Sequence, residues 1–242
     1  MTGHKNSTTY SHLFKLTLAS LLIFTAANSA NAAPVTLEFD DVSVFGGTIA
    51  YGGGAAPLVG TDILFDQIMG IGTPLNAGPA GALSIVGADL DFSTGANLGG
   101  DATGQVWGGG GSFVLTAADV LDPNSVSIFG GAGPHVLLSG SFTGTLFTPS
   151  VSLFAGNLSF TGLGTDQKNP ALEDYFGVFG VDWAFANTEI SAGTAATDAS
   201  LPFSASVTDA DLVNTGDFIP EPATCFLALV GLLACTSVRR RN

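Results

Sequence analysis

Short apolar and β-branched stretches alternate with polar positions along most of this chain, and turn residues separate them. A repeat of two is typical of strands with one buried face. Residues 141–146, which read Ser-Phe-Thr-Gly-Thr-Leu, show this alternation. Strands are predicted at 35–39, 42–50, 82–92, 112–115, 125–129, 135–147, 150–160, 178–185 and 201–207.

The segments between these strands predict turns and little helix. Ala155-Gly156-Asn157 separates two apolar stretches and predicts a hairpin. Residues 169–176 predict a short helix, with Asn169 as N-cap, Pro170 at the first helical position and Gly177 after the end. Residues 116–121 predict one further helical turn. The fold class is therefore all-β, an antiparallel, jelly-roll-like β-sandwich with one or two short helices.

The N-terminus has the order of parts found in a secretion signal. A polar segment with two lysines, 1–15, precedes an apolar run, 16–27, and then the small residues Ala30 and Ala32. We interpret residues 1–32 as a signal peptide for Sec export, with a helical apolar region and Ala33 as the first mature residue. Twelve apolar residues are too few to span a hydrocarbon core of about 30 Å, which argues against an uncleaved anchor.

The C-terminus has three parts in a fixed order. A Pro-Glu-Pro sequence precedes the apolar segment 223–238, which is followed by three arginines: Pro220, Glu221, Pro222, Arg239, Arg240 and Arg241. The apolar segment predicts a short transmembrane helix, and the arginines predict that its end stays in the cytoplasm. Prolines keep the segment before it extended, which suits a processing enzyme. An ordinary tail anchor is the alternative.

These three parts resemble the PEP-CTERM sorting signal of Gram-negative bacteria. The resemblance implies recognition by an exosortase, an integral-membrane transpeptidase, with cleavage at or near residues 220–222. It also implies a transient stop in the inner membrane and delivery to the cell surface or an extracellular matrix. The domain organisation is then a signal peptide at 1–32, an acidic Gly-rich ectodomain at 33–217 and the sorting signal at 218–242.

Charge and composition narrow the partners of the ectodomain. The chain has 242 residues and a formal net charge of -14, and Lys168 is the one basic residue between Lys15 and Arg239. Nineteen of the twenty carboxylates lie in the ectodomain. Nucleic acid is excluded as a partner, because no array of cations is present to displace counterions from phosphates. Cations and neutral polymers remain.

The ectodomain lacks the residues of the common catalytic and zinc sites. Both cysteines, Cys225 and Cys235, lie in the apolar C-terminal segment, and His135 is the one histidine outside the signal peptide. With one histidine and no cysteine, the ectodomain cannot form a zinc site of three His or Cys ligands, and no motif around His135 indicates a Ser-His-Asp triad. We therefore expect no enzyme activity and no required cofactor. A hydrolase built on paired carboxylates is the least favoured alternative.

Two speculative ligand sites remain in the ectodomain. Asp89 and Asp91 face the same side of a predicted strand and are candidates to share a Ca²⁺ ion, as are the pairs at 40–41 and at 209 and 211. Trp107, among glycines, is a candidate platform for a sugar ring, with core packing as the default.

The leading prediction is a non-catalytic surface protein associated with exopolysaccharide or biofilm. It depends on the C-terminal signal and on the acidic β domain. The alternative is a module that binds carbohydrate or calcium.

Overall fold

The computed structural model describes residues 34–143 and 149–217. Over these ranges the chain forms fourteen strands, one α-helix and one 3-10 turn at Pro79–Gly81. The helix, α1, is Pro170–Phe176. The strands are β1 Pro34–Asp40, β2 Thr48–Tyr51, β3 Leu58–Ile71, β4 Leu83–Thr94, β5 Asn97–Asp101, β6 Gly104–Trp107, β7 Gly111–Ala117, β8 Asp119–Leu121, β9 His135–Phe142, β10 Ser150–Phe154, β11 Asn157–Gly162, β12 Gly164–Lys168, β13 Asp182–Gly193 and β14 Phe203–Asp217.

All the strand pairs are antiparallel, and they belong to one sheet that closes on itself. The circuit runs from β14 through β2, β3, β4, β7, β9 and β12 to β13, and β13 pairs again with β14. Strand β1 continues the position of β2, because it also lies between β14 and β3. From β13 a branch of β11, β10, β6 and β5 extends the sheet.

The predicted antiparallel all-β class is confirmed, but the division into two separate sheets is wrong. A sandwich has two sheets that contact through side chains, whereas here β13 carries hydrogen bonds to both β12 and β14. The long strands β13 and β14 make this possible, since each contacts different partners along its length. Alternation alone cannot distinguish these arrangements, because both bury one face of each strand.

Alternate residues of the strands fill the interior with aromatic and aliphatic side chains. Phe92 stacks on Phe160 with ring centroids 4.8 Å apart, and Phe142 contacts both rings edge-on. Gly60 lies opposite Phe92 on the neighbouring strand, where a Cβ would be 2.2 Å from the ring. The core therefore depends on a glycine at this position.

The predicted helix and hairpin are both confirmed. The Asn169 side chain accepts a hydrogen bond from the Ala171 N–H, and Gly177 ends α1 in the left-handed conformation with φ 70°. The hairpin joins β10 to β11 through Ala155 and Gly156, which both have a positive φ. These two residues form the turn, and Asn157 is the first residue of β11.

Two local predictions are wrong, and one long strand was not predicted. Residues 116–117 and 119–121 are strand, because they belong to β7 and β8 and pair with β4. Residues 125–129 form no strand and make one isolated bridge, at Ser127. The long strand β3 was not predicted, because Gly60, Gly70 and the polar residues between them interrupt its apolar pattern.

No helix within residues 34–143 and 149–217 is long and apolar enough to cross a membrane. The signal-peptide helix and the transmembrane helix at 223–238 lie outside the described residues and stay predictions.

Candidate functional site

The lone basic residue of the ectodomain lies at the end of β12, with its side chain in the interior. Lys168 and Asp166 are two residues apart on this strand, so their side chains share one face of the sheet. The two side chains form an ion pair, and each is 0% exposed. The second aspartate oxygen, Oδ1, is also buried and has no hydrogen-bond partner among the described residues.

Two aromatic rings contact the lysine ammonium. Its Nζ atom lies 4.8 Å from the centroid of Trp183 and 5.9 Å from that of Phe39. Trp183 is the cross-strand partner of Asp166 on β13, which places the indole on the same face as the ion pair. A cation over a ring is attracted by the ring quadrupole, so the indole partly replaces the water that the ammonium has lost.

Glu173 is the third ionisable group of this cluster. It lies in the first turn of α1, whose N-cap directly follows Lys168 in the chain. Its Oε1 atom accepts a hydrogen bond of 3.3 Å from the Trp183 Nε1–H, which fixes the carboxyl beside the indole. Lys168, Asp166, Glu173 and Trp183 therefore form one contiguous cluster, and we call it the Lys168 cluster.

Burial shifts all three ionisable groups toward their uncharged forms. It lowers the pKa of Lys168 to about 8, against the opposing attraction of Asp166. It raises the pKa of Asp166, against the attraction of Lys168. The pKa of Glu173 is also raised, chiefly by burial and despite the hydrogen bond from Trp183. A proton is therefore shared more evenly between the amine and the carboxyls than in water.

A cleft of about 1000 Å³ is lined by strands β7, β9 and β12 together with the Lys168 cluster. The strand register places two polar rows across β9 and β12, where Ser139 faces Gln167 and Ser141 faces Thr165. These four residues are exposed and carry no charge. Hydroxyl and amide groups arranged in this way are suited to hydrogen bonding with a neutral polar polymer.

A second group of ionisable residues lies where β1, β13 and β14 meet. Asp211 on β14 is the direct partner of Asp40 on one side and of Glu189 on the other. We call the full set the carboxylate cluster, which comprises Glu38, Asp40, Asp41, Glu189, Asp209 and Asp211. The structure thus brings together the predicted calcium pairs at 40–41 and at 209 and 211, which are about 170 residues apart in the chain.

Two carboxylates of this cluster have strongly raised pKa values. Burial and then the charges of Asp209 and Asp40 raise the pKa of Asp41 to about 6, against a backbone hydrogen bond from Ala210. Burial and the neighbouring carboxylates, Glu38 first, raise the pKa of Asp211 to about 6. No cation nearby offsets this repulsion among the residues that the structure describes.

The calcium hypothesis stays a prediction, and the structure shows what surrounds two of its candidate carboxylates. Within the described ranges, no group of three or more His, Cys, Asp or Glu side chains is placed to hold a metal ion. Asp89 accepts a hydrogen bond from the Thr116 hydroxyl at 2.6 Å, and Asp91 accepts one from the Asp62 N–H at 3.0 Å. These two carboxylates are therefore engaged with neighbouring strands.

Trp107 is a core residue and offers no exposed ring to a sugar. It is 0% exposed, packs edge-on against Tyr51 at 5.3 Å and donates from Nε1 to the Ala56 carbonyl at 3.1 Å. The prediction of a surface platform at this residue is wrong, and the default of core packing holds. His135 stacks on Phe129 at 4.2 Å and contacts the Gly131 carbonyl.

The predicted processing residues form two groups outside the described residues, and the folded domain begins next to one group and ends next to the other. These residues are Ala30, Ala32 and Ala33 at the N-terminus and Pro220, Glu221, Pro222, Arg239, Arg240 and Arg241 at the C-terminus. Strand β1 begins at Pro34, and its partner in β14 is Asp217. The folded domain therefore occupies the span between the two predicted processing points.

An acidic all-β domain between two predicted processing points is the arrangement expected of an exported protein with a C-terminal sorting signal. The PEP-CTERM protein-sorting motif matches residues 218–241, beginning one residue after β14 ends. The chain therefore carries a PEP-CTERM sorting motif, and this motif indicates an extracellular protein that is sorted by an exosortase. Comparison with the curated proteins and with the solved structures gave no match.

Sequence reasoning missed the Lys168 cluster, although two of its signals are visible in the sequence. Lys168 is the one cation of a highly acidic domain, and Asp166 lies two residues before it. An Asn-Pro helix start follows directly and places Glu173 on the first turn. Trp183 has no comparable signal, because its position depends on the pairing of β12 with β13.

Proposed function

We propose that this protein is a non-catalytic component of the cell surface or extracellular matrix that associates with a neutral exopolysaccharide. The observation that carries the proposal is the sorting motif at residues 218–241, directly after the last strand. Such a motif directs export, membrane-associated processing and release to the surface. The ectodomain is the part that remains there.

The polar rows of the cleft and the charge of the domain support a neutral partner. Ser139, Ser141, Thr165 and Gln167 supply hydroxyl and amide groups without charge. The ectodomain carries a net charge near -18, since it contains nineteen carboxylates and one lysine, Lys168. An anionic polysaccharide would be repelled at long range, whereas a neutral one would not.

The sorting step is tested by mass spectrometry of the C-terminus. The protein from cells with an active exosortase should end near residues 220–222, and the protein from cells without the enzyme should keep Asn242. Glu221→Ala should reduce processing, with exposed Glu189→Ala on β13 as the matched control. An intact C-terminus in every strain would contradict the sorting step.

Saccharide binding is tested on the processed protein released from cells, with an array of neutral and anionic polysaccharides. We expect binding to neutral polymers that is weakened by Gln167→Ala combined with Ser141→Ala. Exposed Ser152→Ala on β10, outside the cleft, is the matched control. Equal binding by the double variant would place the partner elsewhere on the domain, and no binding would contradict the association itself.

A further inference from the structure

The proposed function leaves the buried amine and carboxyl of the Lys168 cluster without a role. Lys168 and Asp166 are paired directly, and no exposed part of either side chain is available to a ligand. A buried ion pair is costly, because two charges lose their water for one mutual attraction. A covalent bond between the two groups would remove both charges.

We propose that Lys168 and Asp166 become joined by an amide bond between Nζ and Cγ. The side chains lie on one face of β12, and residues two apart in a strand have Cα atoms about 6.7 Å apart, which both side chains together span. The ion pair already places the amine against the carboxyl. Because folding already holds the two groups together, the reaction does not have to overcome the entropy loss of bringing two reactants together.

The reaction is a condensation that balances without any co-reactant. A proton first moves from Nζ directly to the paired Oδ2 atom of Asp166, which leaves a neutral amine and a neutral acid. The nitrogen lone pair then attacks Cγ and the C–N bond forms. The bond from Cγ to the hydroxyl oxygen breaks, and this hydroxyl leaves with a second proton from nitrogen as one water molecule.

The surroundings of the pair favour each part of this step. Burial lowers the pKa of Lys168 to about 8 and raises the pKa values of Asp166 and Glu173, so the neutral forms are accessible. The indole of Trp183 covers the amine. The two paired side chains are themselves fully buried, which disfavours the reverse reaction, hydrolysis, at the bond between them.

The sequence provides a direct assay for this bond. Lys168 is the one site between Lys15 and Arg239 at which trypsin cuts, and an acylated lysine is not cut. The full chain is folded, then unfolded in denaturant, diluted and digested. We expect an intact mass lower than the sequence mass by one water molecule, and no fragment that begins at Asn169.

Two variants separate the amide from other changes. Lys168→Arg cannot form the bond, so it should have full mass and be cut at this position. Asp166→Ala lacks the reacting carboxyl, so it should likewise have full mass and be cut after Lys168. The wild-type protein at full mass and cut after Lys168 would overturn the proposal, and so would a mass loss of one water with the cut retained.

Discussion

Acidification from pH 7 to pH 5 should stabilise the folded ectodomain, because the carboxylate cluster is charged at neutral pH and repulsive. The pKa values of Asp41 and Asp211 are raised from 3.8 to about 6 in the folded state. Between pH 3.8 and 6 the folded state therefore binds more protons than the unfolded state. Under proton linkage the free energy of unfolding then rises as the pH falls through this window.

The size of the effect follows from the two shifts. A group with a pKa of about 6 when folded and 3.8 when unfolded contributes at most about 1.3 kcal/mol between pH 7 and pH 5. Solvent screens these partly accessible groups, so about half of this figure is expected for each, or roughly 1.3 kcal/mol together. For a domain of this size that corresponds to an increase in Tm of about 3 to 5 °C.

Other ionisable groups do not reverse this direction. The raised pKa values of Asp166 and Glu173 also favour greater stability as the pH falls. If the proposed amide forms, Asp166 no longer titrates and only Glu173 contributes. The lowered pKa values of Asp101 and Asp122, caused chiefly by hydrogen bonds to Thr103 and Val126, act in the opposite sense. Their stabilisation is lost only as the pH falls below about 3.8, outside the window.

The assay is thermal unfolding of the processed protein at constant ionic strength from pH 7.5 to pH 4.5. Asp211→Asn should raise the Tm at pH 7 and reduce its pH dependence, because it removes one charge from the centre of the cluster. Asp62→Asn is the matched control, since Asp62 is exposed and Asn tolerates its positive φ of 52°. A Tm that stays constant or falls on acidification would refute the reasoning.

Three further predictions concern the core, the C-terminal junction and calcium. Gly60→Ala should lower the free energy of unfolding by about 1 to 3 kcal/mol in urea titrations, because the added Cβ would clash with the Phe92 ring. Gly108→Ala is the control and should be near neutral, because its Cβ would lie 3.5 Å from the nearest atom, the Ala96 carbonyl oxygen. Deleting residues 218–219 should slow C-terminal processing in cells, because it brings Pro220 directly against the last paired residue, Asp217, whereas inserting Gly-Ser there should not. Millimolar Ca²⁺ should raise the Tm no more than Mg²⁺ at equal ionic strength, since no group of three acidic side chains in the described domain is placed to hold a metal ion. A shift specific to Ca²⁺ would support the calcium hypothesis.

Local signals in the sequence were sufficient where the structure depends on neighbouring residues. The α1 helix is an example, because Asn169, Pro170 and Gly177 each act within one turn of the chain. The hairpin between β10 and β11 is another, since its register follows from a two-residue loop. The C-terminal sorting signal was also recognisable, because its three parts are contiguous in sequence.

Features that depend on pairing between distant strands could not be predicted in this way. The closure of the sheet depends on β13 and β14, and the carboxylate cluster depends on β1 meeting β14 across most of the chain. Trp107 was a candidate sugar platform because glycines surround it, with core packing as the default, and the structure buries it completely. Neighbouring glycines such as Gly104 and Gly111 let other chain segments approach closely. Composition near a residue therefore says little about its burial.

The pairing of β1 with β14 is consistent with the two predicted processing points. Pro34 and Asp217 are partners in the register, so the first and last residues of the described domain are held by the same strand pair. Cleavage before Ala33 and near residues 220–222 would leave every one of these pairs intact, whereas cleavage a few residues further inside would remove hydrogen bonds that close the sheet. The fold and the two predicted processing points are thus mutually consistent, because neither predicted cut falls within a paired strand.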